Sequence, residues 1–200
     1  EIERLRSGER PIEVTPAQAQ ALGLGFSAAA VYRKRRGLSI AGYGEMLYEN
    51  FGGQDEGGDA ISKGTKLDFL RNIIYAGYRF NDKFVFNSEI EFEHGSTGLS
   101  GSVSVEFAYL DYIVNDHLTI RGGLLLIPMG LVNEFHEPNV FLGTKRPVTE
   151  EYIIPSTWRE NGIGVTGSVG IFDYRAYVVN GLDGARFKST GIRGGRQQLR

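Results

Sequence analysis

The side chains best suited to chemistry stand in one short stretch, NEFHEP at 133–138. Glu134, His136 and Glu137 are residue types that ligate metal ions, and a histidine beside a carboxylate is also a general acid–base pair. Their spacing matches no helix-borne metal motif, however, and no nucleophile motif accompanies them. A polar loop explains the stretch better than catalysis does. The sequence therefore predicts neither an enzyme, a metal site nor a cofactor.

The stretch belongs to a long connection, residues 128–161. A loop of this length without secondary structure is uncommon and usually functional. It combines hydrophobic side chains with charges of both signs, which predicts that it packs against another part of the protein and presents its charges there. The charged candidates are Glu134, His136, Glu137, Lys145, Arg146, Glu150, Glu151, Arg159 and Glu160.

The elements that must position this loop are β-strands. From residue 37 onward, alternation of apolar and polar side chains predicts seven strands and the start of an eighth. The predicted ranges are 38–50, 66–80, 83–94, 102–115, 117–127, 162–170, 173–181 and 191 onward. The first five are longer than the ~5–6 residues typical of soluble sheets, and they are long enough to cross a membrane at a tilt.

Each strand divides into an oily and a wet face, most clearly at 83–94. One face of that strand carries four large apolar side chains: Phe84, Phe86, Ile90 and Phe92. We expect the charged side chains of the opposite faces to line an aqueous lumen, with charges on the second and third strands paired. These expected lining residues are Arg71, Arg79, Glu89, Glu91, Glu93, Glu106 and Arg121. The fourth strand is expected to carry Val103, Val105, Phe107 and Tyr109 on its oily face, where Asp111 does not fit.

The connections between strands alternate in length. Those around 81–82, 115–116 and 171–172 are short, whereas 51–65, 95–101, 128–161 and 182–190 are longer. Two-residue connections between alternating runs indicate β-hairpins. Short and long connections therefore lie at opposite ends of the sheet. That sorting is typical of transmembrane β-barrels, and a soluble sandwich has no physical reason for it.

Composition narrows the function classes. The chain has 28 glycines, 10 tyrosines and 12 phenylalanines, which favours strands. Its net charge of −2 gives no support for nucleic-acid binding, and without cysteine it offers neither a disulfide nor a thiolate metal site. Residues 1–36 differ from 37–200: weak helical character and the basic run YRKRRG predict a solvated leader segment, partly helical or disordered. The alternative hypothesis is that this basic run binds anionic lipid head groups.

Four stretches resemble the phosphate-selective porin O and P family of Gram-negative outer membranes. They are RGLSIAGYGEMLYENF (36–51), IIYAGYRFNDKF (73–84), GGLLLIPMGLVNEFHEP (122–138) and IIPSTWRENGIGVTG (153–167). The most specific part runs from Pro-x-Gly-Leu-x-Asn-Glu at 128–134 to Trp-Arg-Glu-Asn-Gly at 158–162. The resemblance implies an outer-membrane barrel of about sixteen strands, a homotrimer with its third long loop folded inward. It also implies that this chain is the N-terminal half of such a barrel.

The combined expectation is an antiparallel transmembrane β-barrel, to which this chain contributes about 7–8 strands. It would form a water-filled channel in outer-membrane lipid for passive diffusion of small hydrophilic solutes or ions. The inward loop would set pore width through Glu134, His136, Glu137, Lys145, Arg146, Arg159 and Glu160.

The solute is left open. The family's arginine ladder and lysine-rich constriction are not matched residue by residue here, so phosphate and other anions are candidates without being singled out. Two alternative hypotheses accompany the channel. One is a soluble β-sandwich or jelly-roll carbohydrate-binding module, and the other is a closed barrel that serves as an adhesin or anchor.

Overall fold

The computed structural model describes residues 21–61, 63–95, 101–154, 157–189 and 191–196. Parts of the predictions lie outside these residues. They are the first twenty residues of the leader, residues 62, 96–100, 155–156 and 190 of the longer connections, and the end of the eighth strand.

The described residues form an all-β structure with one seven-stranded sheet. Its strands are β1 Gly37–Glu49, β2 Lys66–Arg79, β3 Phe84–Glu93, β4 Ser102–Asn115, β5 Leu118–Leu126, β6 Arg159–Val169 and β7 Phe172–Val179. Each strand pairs antiparallel with the next, in the order β1-β2-β3-β4-β5-β6-β7. The all-β, antiparallel prediction is confirmed, and every one of the seven predicted strands is present.

The tight connections are built by asparagine side chains. Asn81 Oδ1 accepts hydrogen bonds from the backbone N–H groups of Lys83 (2.8 Å) and Phe84 (2.9 Å) between β2 and β3. Asn115 Oδ1 accepts one from His117 N (2.9 Å) between β4 and β5. Such side-chain turns reverse the chain within a few residues. We call this end of the sheet the short-turn end and the opposite end the long-loop end.

Two segments cover one face of the sheet, which we call the inner face; the opposite face is the outer face. The first segment, residues 21–36, contains the 3₁₀ helix Ala28–Arg33. The second, the described residues of 127–158 (127–154 and 157–158), contains a 3₁₀ turn at Pro138–Val140 and a π-helical turn at Thr149–Ile153. In the described range, no helix is both long and apolar enough to cross a membrane.

The inner face holds an apolar core despite its charges. Leu24, Ala28 and Ala29 of the first segment are buried against strand residues that share this core: Ile73, Tyr75, Phe107, Tyr109, Leu125 and Leu126. The rings of Phe107 and Tyr109 stack with centroids 5.3 Å apart. Leu24, Ala28 and Ala29 therefore depart from the solvated leader that the sequence predicts, because they fill a strand-lined apolar patch, whereas Arg35 and Arg36 of the basic run are exposed.

A β-bulge changes which residues of β4 face inward. Glu89 of β3 pairs with Phe107 but the next residue, Ile90, pairs with Val105, so Glu106 is the additional residue. The bulge reverses the alternation beyond it. Phe107 and Tyr109 are consequently buried on the inner face with Asp111, and their predicted placement on the oily face is wrong. Val103 and Val105 remain exposed on the outer face, as predicted.

Two predicted boundaries also change. β6 begins at Arg159, so Arg159 and Glu160 lie on a strand and not in the long connection. The eighth strand does not form within the described residues 191–196, which hold a 3₁₀ turn at Arg193–Gly195 and a single bridge between Lys188 and Gly191.

Candidate functional site

Arg71 is the centre of the charged row on the inner face. Its Nε lies 2.8 Å from a carboxylate oxygen of Glu45, and its Nη1 lies 3.1 Å from Glu91 Oε1. Neighbouring strands bring the three side chains together, because Arg71 is directly opposite Glu45 on β1 and shares a face with Glu91 on β3. The expected pairing of an arginine on the second strand with glutamates on the third is present here. Glu45 was missed, although Glu45 and Glu49 lie on the same face of β1 and together indicate a wet face there.

The loop reaches the same face through His136, which is buried beside Glu89. Glu89 is 0% exposed and His136 is 4% exposed. His136 Nε2 lies 3.2 Å from Glu89 Oε1, and its Nδ1 lies 3.0 Å from the carbonyl oxygen of Asn133. A carbonyl and an ionised carboxylate can only accept hydrogen bonds, so this arrangement suits an imidazolium with both nitrogens donating. Burial alone would lower the pKa of His136, but the Glu89 carboxylate outweighs it and the pKa is raised.

The attachment of this loop to the inner face of the sheet is expected to weaken as the pH rises. The pKa of His136 is higher in the folded than in the unfolded state. The stabilisation that His136 gives to the docked loop is therefore complete below the unfolded-state pKa of about 6.5, and it is lost as the pH rises through the folded-state pKa. Burial also raises the pKa of Glu134 and of Glu137, which gives the same sign. Hydrogen exchange of residues 128–158 in the detergent-solubilised full-length protein should accelerate between pH 6 and 9 beyond its intrinsic pH dependence.

His136→Gln should reduce that pH dependence, whereas His117→Gln should leave it unchanged. His117 is an exposed turn residue whose Nδ1 faces the Ser168 carbonyl, with no carboxylate partner in its hydrogen bonds. An unchanged slope in His136→Gln would show that the buried pair does not hold the loop.

The two ends of the loop are joined by Asn133. Its Nδ2 donates to the carbonyl oxygens of Ile127 (2.7 Å) and Trp158 (2.9 Å), and its Oδ1 accepts from Trp158 N (2.7 Å). Glu150 supports the same turn by accepting hydrogen bonds from the N–H groups of Leu131 (2.6 Å) and Val132 (2.8 Å). The two motifs at 128–134 and 158–162 therefore meet in space. Asn133 was not among the predicted site residues, although it stands in the first of these motifs.

The remaining loop charges contact different strands. Glu134 pairs with Arg175 of β7 at 3.1 Å, and Glu137 accepts a hydrogen bond from the Tyr75 hydroxyl of β2 at 3.3 Å. Lys145 pairs with Glu49 of β1. Because these partners lie on strands from both sides of the sheet, the loop is tied across its whole inner face.

A cavity of about 460 Å³ opens between the loop and the inner face at the long-loop end. It brings together seven of the predicted site residues: Arg71, Glu91, Glu93, Glu106, Lys145, Arg146 and Arg159. The other seven lie elsewhere: Arg79, Glu89, Arg121, Glu134, His136, Glu137 and Glu160. Glu45, Glu49, Arg193 and Arg196 line the cavity without having been predicted.

Arginines crowd one side of this cavity. Burial and the neighbouring Arg159 and Arg193 lower the pKa of Arg196 to about 10. Burial and Arg71 likewise lower the pKa of Arg146. Carboxylates compensate part of this charge, since Glu106 lies 3.0 Å from Arg159. The cavity is therefore lined by charged side chains of both signs.

A second polar cluster lies towards the short-turn end. Arg121 makes two hydrogen bonds to the buried Asp111, at 2.8 and 2.9 Å, and its guanidinium lies 4.0 Å from the ring centroid of Tyr109. Tyr32 donates to Asp111 Oδ2 at 2.6 Å. Arg79 donates to the Tyr32 carbonyl oxygen at 2.8 Å. Asp111 and Tyr32 were missed because the bulge and the path of residues 21–36 are not visible in local alternation.

The three chemically suited loop residues do not converge. Glu134, His136 and Glu137 have separate partners on β7, β3 and β2. Among the described residues, no group of three histidine or carboxylate side chains is placed to hold a metal ion. The geometry is that of a loop anchored by polar contacts.

Comparison with known proteins identifies a relative in Aquifex aeolicus (strain VF5), which carries the description uncharacterized protein. It is 47% identical over 163 residues. The match covers 80% of this chain and 36% of the relative, so the chain spans about a third of the relative's length. No family model and no solved structure matches the chain.

Proposed function

We propose that this chain is part of an outer-membrane β-barrel that forms a water-filled channel for passive diffusion of small hydrophilic solutes or ions. The observation that carries the proposal is an inverted distribution of polarity. Charged side chains are buried on the inner face of the sheet, while large apolar side chains are exposed on its outer face. Water on the outside would favour the opposite arrangement.

The outer face is mainly apolar along every strand, with uncharged polar residues such as Asn72 on β2 and Asn161 on β6 as exceptions. Ile40 on β1 is 70% exposed and Val178 on β7 is 78% exposed, and similar residues lie between them on the intervening strands. The alternate outer positions of β1 are Leu38, Ile40, Gly42, Gly44, Met46 and Tyr48, with no charged residue among them. Monomeric soluble proteins rarely expose apolar patches beyond a few hundred Å². Hydrocarbon tails are the partner that suits a continuous apolar face across seven strands.

Aromatic rings mark the ends of these strands. Phe80 and Phe84 lie at the short-turn end, where Phe84 packs against Tyr112 with ring centroids 5.0 Å apart. Tyr48 and Phe51 lie near the long-loop end, and both are exposed. Rings at the two ends of an apolar band suit the interfacial girdles of membrane barrels. The short connections lie at one end of the strands and the long connections at the other, which also supports strands that span the membrane from one interface to the other.

A spanning sheet must close on itself, because lipid cannot satisfy the backbone groups of an edge strand. Within the described residues, β1 and β7 each pair on one side only. The proposed barrel therefore includes further strands between them. The relative from A. aeolicus extends well beyond the part that matches this chain, which is compatible with that requirement.

The carbohydrate-binding sandwich is less well supported. A sandwich buries its apolar faces between two sheets and leaves polar faces to water. The strands described here belong to one sheet, and its covered face is the charged one. We therefore favour the channel over the soluble module.

The test is single-channel recording of the purified full-length protein in planar bilayers. We expect discrete, ohmic conductance steps, with boiled protein as the inactive control. Heat-modifiable migration on a gel should accompany them, since folded barrels run differently from unfolded chains. A protein that inserts and is heat-modifiable but never conducts would contradict the channel and favour an adhesin or anchor.

A further inference from the structure

We infer that residues 21–36 form an inner plug that narrows the channel from the short-turn end. The pore would then have two constrictions, one made by this plug and one by the loop at 127–158. The inference rests on the proposed function and adds a pore-size determinant to it.

The plug has a preformed apolar seat on the inner face. Leu24, Ala28, Ala29 and Val31 are all buried, and Ile73 and Tyr75 of β2 are among the side chains beneath them. Apolar side chains are unfavourable in the wall of an aqueous channel unless something covers them. The apolar patch on the inner face therefore needs a cover, and the plug provides it.

Close packing shows that this fit is specific. A Cβ atom added at Gly77 of β2 would lie 2.8 Å from Val31 Cβ and 3.1 Å from the Phe86 carbonyl oxygen. A side chain at that position would lift Val31 from the strand. Glycine at 77 thus allows the 3₁₀ helix to lie directly on the backbone of the sheet.

Hydrogen bonds with side chains of four strands, β2, β3, β4 and β7, hold the plug. Asn87 Nδ2 of β3 donates to the Ala28 carbonyl oxygen at 2.8 Å. The Tyr32 hydroxyl donates to Asp111 of β4, and Arg79 of β2 donates to the Tyr32 carbonyl oxygen. At its start, Arg175 of β7 donates to the Ala21 carbonyl oxygen at 3.2 Å. The plug is consequently fastened from β2 to β7, across the space that a lumen would occupy.

The plug also meets the loop. A Cβ atom at Gly25 would overlap the Glu137 carboxylate, and one at Gly23 would lie 2.6 Å from Glu134 Oε1. Glu137 and Glu134 belong to the loop, so the plug and the loop contact each other on the inner face of the sheet. Removing the plug therefore opens space beside the loop and leaves the strand pairing intact.

A pocket of about 510 Å³ opens beside the plug at the short-turn end, and its charged lining comprises Arg33, Lys34, Arg35, Arg79, Asp82 and Asp116. Four of these residues are basic and two are acidic. The plug would therefore narrow the channel at this end and leave a mainly basic surface beside the constriction.

The experiment replaces residues 21–33 by a glycine–serine linker of equal length in the full-length protein. Single-channel conductance in planar bilayers should rise by at least about twofold, because pore conductance follows the width of the narrowest section. If the parent conducts and the linker variant conducts equally, the plug is overturned while the channel stands. If neither conducts, both proposals fail. A silent parent with a conducting variant would contradict the open channel proposed above and would support a plug that closes the pore fully.

Thiol labelling provides a readout that does not depend on conductance. The sequence contains no cysteine, so Ile73→Cys beneath the plug and Ser104→Cys in the cavity at the long-loop end report single positions. A water-soluble maleimide should label Ser104→Cys in both backgrounds. It should label Ile73→Cys at least about tenfold faster once the plug is replaced, because Ile73 is buried beneath it. Equal labelling of Ile73→Cys in both backgrounds would overturn the plug.

Discussion

Substituting lysine for Ile74 is expected to cost about 2–4 kcal/mol of the free energy of folding into a bilayer. Ile74 is in the middle of β2 on the outer face, opposite Gly42 of β1 and Ile90 of β3. A lysine there would place an ammonium group at the depth of the hydrocarbon core. Urea titration of the full-length protein in liposomes would measure the loss.

The matched control is Leu67→Lys on the same face of the same strand. Leu67 is one residue from the start of β2, at the long-loop end, where a lysine side chain can reach the head groups. Its expected cost is about 0–1 kcal/mol. Equal and small costs at both positions would indicate a surface in contact with water, where such substitutions usually change stability by less than about 0.5 kcal/mol.

Arg121→Ala is expected to destabilise the protein by about 3–5 kcal/mol, because it leaves a buried carboxylate without its partner. Asp111 is 0% exposed, and both of its carboxylate oxygens accept hydrogen bonds from Arg121. The substitution also removes the guanidinium from the ring of Tyr109. Chemical denaturation of the full-length protein would measure the change.

Arg186→Ala is the control for an exposed pair. Arg186 lies 3.3 Å from Asp183, but the two side chains are 62% and 38% exposed. Its expected cost is about 0–1 kcal/mol. The double variant Asp111→Ala with Arg121→Ala should cost less than the sum of the two single changes, since each single change leaves a buried charge. Additive costs would contradict a coupled pair at this position.

The strands could be predicted because successive side chains of a strand point to opposite faces, so that apolar and polar residues alternate along each one. In β3, Phe84, Phe86, Ile90 and Phe92 stand at alternate positions and are more exposed than the inner-face Glu89 and Glu91, with Ser88 as the interruption of the apolar face. The asparagine turns before Phe84 and before Leu118 are local features that alternation and composition reveal together. Arg71 and Glu91 could be paired in advance for the same reason: their strands are consecutive and joined by a tight turn.

The errors arose where a non-local feature overrides local alternation. One extra residue at Glu106 moves Phe107 and Tyr109 to the inner face, and the misfit of Asp111 was the only sequence signal of that bulge. The burial of Leu24, Ala28 and Ala29 depends on an apolar patch assembled from β2, β4 and β5. No window of consecutive residues contains that patch. The loop charges were identified as a group, but their individual partners follow from the sheet as a whole.

The most direct test of lipid contact on the outer face is spin-label accessibility along β2 in proteoliposomes. Labels at Ile74 and Tyr78 should collide with dissolved oxygen, which concentrates in hydrocarbon, and should be shielded from a water-soluble nickel chelate. Labels at Ile73 and Tyr75 should be shielded from oxygen, because these positions lie buried on the inner face. High nickel accessibility and low oxygen accessibility at Ile74 and Tyr78 would place the outer face in water and contradict the account.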